Sequence, residues 1–202
     1  MILFLDTISL LPKFFLIKKK NVIKSIHILG KKNMKISDEI VSRYNFFKKK
    51  YKFNNKLTKM IVLTGPGSYT GLRLGISFMY GLSIAKKIPL FGLSFVSLLN
   101  TQVVKNNFSN TFFIIFSDNN QNFVCVPLDK TNEYDIYKFT DNLSSIKIDF
   151  NKFSKCISNN KIPKILKRSF KNISDFSIID VEDLLNNNLN SFLEKKDVIK
   201  PI

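Results

Sequence analysis

Residues 60–75 read MIVLTGPGSYTGLRLG. Met60 to Thr64 is apolar without alternation and ends on glycine, the pattern of a central strand buried on both faces. Gly65-Pro66-Gly67-Ser68-Tyr69-Thr70 turns the chain, and a helical spacing then continues to about Lys87, with Pro89 to stop it. A strand, a glycine turn and a helix in succession form the joint of an α/β fold, with Gly65, Gly67 and Thr70 shaping the turn. Ser68 or Thr70 can cap the helix, and its first free N–H groups can hold an anion. The generic phosphate motifs do not fit. Thr70 occupies the second-glycine position of the P-loop and the third of the dinucleotide pattern, and no lysine follows where a P-loop needs one. A nucleophile elbow fails as well, because Gly75-Ile76-Ser77-Phe78-Met79 lacks its closing glycine.

Five of the seven glycines, Gly65, Gly67, Gly71, Gly75 and Gly81, lie in this stretch, so something there needs bare backbone. Gly71 and Gly75 are four apart and share a helix face, each costing about 1 kcal/mol of helix propensity relative to alanine. Close packing inside the domain and a helix contact with another subunit both account for them. Leu72, Ile76, Met79 and Tyr80 supply an apolar face beside them.

Working outward, ILFLDT, FFLIKK and VIKSIHIL read as three short strands in hairpins, and residues 36–53 as an amphipathic helix with Ser37 or Asn33 as its cap. LFGLS is a strand and residues 95–104 a helix. The order β-β-β-α-β-α-β-α places a mixed sheet with helices against it in residues 1–105. In the second half TFFIIFSD and NFVCVPLD read as a hairpin around Asn119–Gln121, and from Asn142 the pattern weakens. The expected division is an N-terminal domain over 1–105 and a smaller, degenerate one over 106–202.

The chain has 202 residues, of which 45% are hydrophobic, enough for a real core. No apolar run approaches the roughly 20 residues that span a bilayer. The lysines follow the apolar opening instead of preceding it, unlike an export signal, so the expectation is a cytoplasmic chain with no membrane partner. The net charge is +17, and residues 1–105 hold 19 basic against 3 acidic side chains. Lys18–Lys20, Lys31, Lys32, Lys35 and Lys48–Lys50 read equally well as a phosphate-attracting face or as solvated edges. The single histidine, His27, falls in a strand segment and is assigned no chemistry, which removes histidine-dependent nucleophile systems and most zinc sites. Cys125 and Cys156 form no CxxC motif and read as buried thiols.

GPGSYTGLRLG on a strand-to-helix joint, preceded by MILFLDT and followed by IPLFGLSFVSLL, resembles the TsaB (YeaZ-type) family. That family is the dimerisation subunit of the complex that makes N6-threonylcarbamoyladenosine in tRNA. The likeness covers residues 1–7 and 60–100 well, while the second-half hairpin and the terminal VIKPI match only in outline. It implies an actin-like ATPase fold, two ribonuclease-H-like β-β-β-α-β-α domains with the second reduced. In active relatives of the fold a turn after the first strand approaches nucleotide phosphate, and Asp6-Thr7 matches it, as a phosphate or metal contact or as a plain turn. The catalytic paralogue TsaD binds its metal through paired histidines on a helix, and the matching segment 36–53 has none.

The resemblance thus implies a non-catalytic subunit that binds and activates a TsaD-like partner, with a TsaE-like ATPase in the complex and tRNA as its substrate. It requires no cofactor of its own, ATP and magnesium belonging to the partner subunits, and it can form a homodimer when alone. The resemblance favours the intersubunit reading of Gly71, Leu72, Gly75, Ile76 and Met79, so that Gly75→Leu would abolish the heterodimer and leave the chain folded. The rivals are a nucleotide hydrolase or phosphotransferase of the same fold using Asp6, and a lysine-rich RNA-binding module. Proteolysis, an association of the wider family, finds no nucleophile elbow and only an unplaced histidine here.

Overall fold

The computed structural model describes residues 1–19, 21–30, 34–105, 110–117, 121–128, 133–170, 172–186 and 199–201. Its first part follows the order read from the sequence: β1 (Ile2–Asp6), β2 (Lys13–Lys18), β3 (Asn21–His27), α1 (Ile36–Tyr51), β4 (Lys59–Thr64), α2 (Tyr69–Lys86), β5 (Leu90–Ser94) and α3 (Phe95–Lys105). β1 lies antiparallel to β2 and parallel to β4, β3 flanks β2, and β5 lies parallel to β4. The inner strands are apolar throughout because both faces of the sheet are covered. Leu3, Leu5, Phe14 and Val62 pack with Phe47 of α1 and Met79 of α2. The alternate residues Phe4, Phe15, Ile61 and Leu63 pack with Leu98 and Leu99 of α3.

The start of α1 differs from expectation. Its N-cap is Lys35, without a side-chain cap, and Ser37 lies inside the first turn with its hydroxyl donated to Asp38 at 2.8 Å. Asn33, like Lys20, Lys31 and Lys32, lies outside the described residues. Asp38 and Glu39 in the first turn and Lys48–Lys50 in the last suit the helix dipole.

The second sheet holds β6 (Thr111–Ile115), β7 (Asn122–Pro127), β8 (Tyr134–Phe139), β9 (Lys155–Ser158) and β10 (Asp175–Ile178), with α4 (Lys164–Lys167) between β9 and β10. Its order β10-β9-β6-β7-β8 repeats β5-β4-β1-β2-β3 of the first, and every parallel or antiparallel pairing repeats with it. The β6–β7 hairpin is the expected one, although Asn119 and Asn120 of its turn lie outside the described residues. What is reduced is helical. A 3-10 turn of 3 residues stands where the first domain has the 16 of α1, and the 4 residues of α4 stand where it has the 18 of α2.

The division at 106–202 is corrected in one respect. β11 (Ile199–Pro201) pairs antiparallel with β5, so the first sheet takes a strand from residues assigned to the second domain and covers the outer edge of β5. The two sheets also share a core. Phe113, Ile115 and Ile157 of the second join Phe4 and Leu63 of the first, together with Leu184 and Leu185 from helical residues 181–186. The far face of the second sheet packs a separate cluster around Phe112, Phe150 and Phe170. Among the described residues no helix is long and apolar enough to cross a membrane.

Because the middle core belongs to both sheets, Leu184→Ala empties a fully buried site that serves both. It should lower the unfolding free energy by about 2–5 kcal/mol. Urea unfolding followed by near-UV and far-UV dichroism should show one transition, and two separated transitions would contradict the shared core.

Candidate functional site: the glycine joint, the cleft and the open helix face

Asp6 ends β1 almost wholly buried, and its carboxylate is occupied by the turn that follows. Oδ1 accepts the backbone N–H of Ile8 at 2.9 Å and of Ser9 at 3.0 Å, and Oδ2 accepts the Ser9 hydroxyl. Burial pushes the carboxyl above its ordinary range, and the bonds from Ser9 and Ile8 and the charge of Lys13 pull it part of the way back. Thr7 is equally committed, its Oγ1 donating to the Gly71 carbonyl at 2.7 Å. These bonds hold Asp6-Thr7 as a turn seated against α2.

The turn packs directly on the glycine joint. A Cβ at Gly71 would overlap the Thr7 carbonyl oxygen, and one at Gly75 would overlap Thr7 Oγ1. A Cβ at Gly67 would stand 2.8 Å from the Ile8 Cβ. None of the described glycines has a positive φ, so these three are required for space and not for backbone conformation. Ser68, not Thr70, caps α2, its Oγ accepting Gly71 N–H at 3.2 Å. Thr70 is exposed in the first turn, and the Gly65 carbonyl accepts Phe95 N–H at 3.1 Å, fastening the turn to the start of α3.

These positions correct part of the interface expected from the sequence. Gly71, Gly75 and Met79 are the buried residues of α2, facing Thr7 and the sheet, while Leu72 and Ile76 are half-buried against different core clusters. The face open to solvent is the opposite one. Tyr69, Tyr80 and Ile84 are 57%, 51% and 61% exposed, and Val41 on α1 is 55% exposed. Arg73 lies between the two tyrosines along the helix, with its guanidinium 4.2 Å from the Tyr69 ring centroid. The signal was in the sequence, since 69, 73, 80 and 84 fall on one helical stripe turned away from 71, 75 and 79. A period of 3.6 identifies faces without saying which one the sheet covers.

Between the sheets lies a cavity of about 280 Å³ whose lining includes Asp6, Ser9, Lys13, Asn159, Asp180 and Glu182. Its charges answer one another: Lys13 Nζ is 2.7 Å from Glu182 and 3.8 Å from Asp180, and Ser25 donates to Glu182 at 2.9 Å. Among the described residues no group of three His, Cys, Asp or Glu side chains could hold a metal. His27 is exposed at the end of β3. Cys125 and Cys156 are buried on opposite faces of the second sheet, and burial pushes the Cys125 thiol up to about 12.

Fold and site together define a two-domain α/β protein of the actin-like class with an open helical face on its first domain. Solved structures share this fold, two from Pseudomonas aeruginosa among them. YeaZ from Pseudomonas aeruginosa superposes with a TM-score of 0.63 at 12% identity, covering 98% of this chain and 94% of that one. The crystal structure of an uncharacterized Pseudomonas aeruginosa protein with similarity to peptidase YEAZ gives 0.61 at 14%, covering 95% and 90%. The curated relative "tRNA threonylcarbamoyladenosine biosynthesis protein TsaB" of Buchnera aphidicola subsp. Schizaphis graminum is 49% identical over 35 residues. That match spans 17% of this chain and 17% of the relative. The family model described as TsaD, tRNA N6-adenosine threonylcarbamoyltransferase, matches residues 39–181. The chain belongs to this family, and the stretch it shares with the Buchnera relative and the fold it shares with the YeaZ structures make it similar to the TsaB (YeaZ) proteins.

Two substitutions separate glycines required for space from one that is not. Gly71→Ala should destabilise by about 1–3 kcal/mol or more, because the Thr7 backbone cannot yield. Gly81→Ala, with nothing within 4 Å of its Cβ, should stabilise by up to about 1 kcal/mol in urea unfolding. For Asp6 the folded carboxyl lies above its ordinary 3.8, so the folded state binds the proton more tightly than the unfolded chain does. The stability of the wild type relative to Asp6→Asn should therefore be highest below that value, fall as pH rises through the folded pKa, and then level. A difference that rose with pH in urea titrations would reverse the assignment.

Proposed function

We propose that the chain is a non-catalytic, cytoplasmic subunit in the biosynthesis of threonylcarbamoyladenosine in tRNA, and that it acts by docking on and activating a TsaD-like catalytic partner. The observation that carries this reading is the outer face of α2. Tyr69, Tyr80 and Ile84, each more than half exposed, lie on one side of a helix whose other side, Gly71, Gly75 and Met79, is buried. Such a stripe suits a partner helix laid alongside it. Membership of the family and the name of the Buchnera relative support the pathway. The interior turn roles of Asp6 and Thr7 support a non-catalytic part, with ATP and magnesium handled by the TsaD-like and TsaE-like subunits and tRNA as substrate of the assembly. A second copy of the chain would occupy the same stripe when the partner is missing.

The test is light scattering on a sizing column with the TsaD-like protein of the same organism. A mixed species should form and persist at high salt. Tyr80→Glu and Ile84→Glu should abolish it without lowering the unfolding midpoint, since both side chains already face water. Gly75→Leu is not the clean test it looked in sequence, because its Cβ would collide with Thr7. Saturable ATP turnover by the isolated chain that is lost in Asp6→Asn would overturn the non-catalytic reading.

A further inference from the structure

We propose that the end of the first sheet at which β1, β4 and β5 begin is a binding surface for the phosphate backbone of RNA. The topology assembles this end. The three strands run parallel, so their first residues lie together, beside the C-terminal ends of α1 and α2 that lead into β4 and β5. The β2–β3 hairpin closes at the same end, since Ile2 pairs with Ile17 and Lys18 with Asn21.

Every element arriving there brings lysine. The hairpin tip carries Lys18 and Lys19, and Lys24 follows on β3. α1 ends in Lys48–Lys50 with Lys52 as its C-cap, and α2 ends in Lys86 with Lys87 as its C-cap. Lys56 and Lys59 lead into β4, and the α-amino group of Met1 is held 2.9 Å from the Lys56 carbonyl. Side-chain contacts confirm the gathering. The ammonium groups of Lys24 and Lys50 lie 5.7 and 5.5 Å from the Tyr51 ring centroid, and Lys86 bonds to the Asn54 side chain.

Nothing acidic from residues 1–105 accompanies them. Asp6 is at the far end of β1, and Asp38 and Glu39 sit in the first turn of α1, about 20 Å along the helix from its last. The ion pairs between described residues engage Lys13, Arg43 and Lys155, and none of the lysines at this end. Helix dipoles do not account for the excess. Two helix C-termini present about one negative charge between them, against eleven lysines and an amino group.

The density of positive charge calls for a polyanion. Apart from the Met1 amino group the cations are lysines, point charges on flexible stems, whereas Arg43 is engaged with Glu39 and Arg73 lies over Tyr69. Such point charges can follow a run of phosphates by charge alone, without fixed bidentate geometry. The choice of RNA rests on the proposed tRNA-modifying role, and the surface adjoins the Ile84 end of the α2 stripe, so RNA held there would lie at the rim of a docked partner.

The experiment is fluorescence anisotropy of an unmodified tRNA transcript with the full chain over a salt series. Lys24, Lys49, Lys50 and Lys52 replaced together by Gln should weaken binding at least tenfold and flatten the log–log salt slope by about 3, at roughly 0.7–0.9 for each phosphate no longer neutralised. Lys152, Lys161, Lys164 and Lys167 replaced by Gln on the second domain should change little. Equal losses from the two sets, a salt-insensitive affinity, or equal affinity for polyglutamate or anionic vesicles would each overturn the proposal. The charge-neutral Ile84→Gln separates the two readings: it should weaken the protein complex and leave the tRNA affinity of the isolated chain intact.

Discussion

The contact on which the rest of the structure depends is the seating of Thr7 against Gly71 and Gly75. It joins two segments 64 residues apart through one hydrogen bond and two positions where no side chain fits. The helix can then lie close against the end of β1, Ile8 fills the space over Gly67, and Asp6 is left to brace the turn from inside. The two stretches that carry the family likeness, MILFLDT and GPGSYTGLRLG, are thus the two sides of one interface within the chain. Either side alone would present a Thr7 hydroxyl without its acceptor or glycines with no packing gain to offset their helix cost.

The second consequence is how the two halves divide the work. They repeat one strand order, and the first half alone keeps full-length helices on its outer face. The second half contributes a wall to the shared middle core and, through Asp180 and Glu182, the counter-charges that hold Lys13 across the cleft. In the cleft the acidic and basic groups answer one another, and the first-strand carboxylate braces its own turn. Among the described residues, the first half presents the exposed apolar side chains of α2 and the lysine-rich end of the sheet.

The expected elements of residues 1–105 emerge in order because the inner strands are covered on both faces, which writes them as uninterrupted apolar runs, and because α1 and α2 are long enough for their period to repeat. β8 and β10 were not legible. Both are edge strands, with Asp135, Ile136 and Lys138 exposed on one and Asp175 and Ile178 on the other, so no apolar pattern marks them. β11 is a strand of only 3 residues whose pairing with β5 depends on the chain returning from the other domain.

The sequence by itself determined the mixed α/β class, the strand–turn–helix joint and its glycines, the one-sided charge and the family, because each is carried by local pattern or composition. Tertiary structure decided what those features face. Periodicity set Gly71, Gly75 and Met79 on one side of α2, but only the arrival of Thr7 made that side the interior and left Tyr69, Tyr80 and Ile84 outside. The lysine excess was countable from the first reading. Only parallel strand order, which brings the starts of three strands and the ends of two helices to one place, turned a count into a surface.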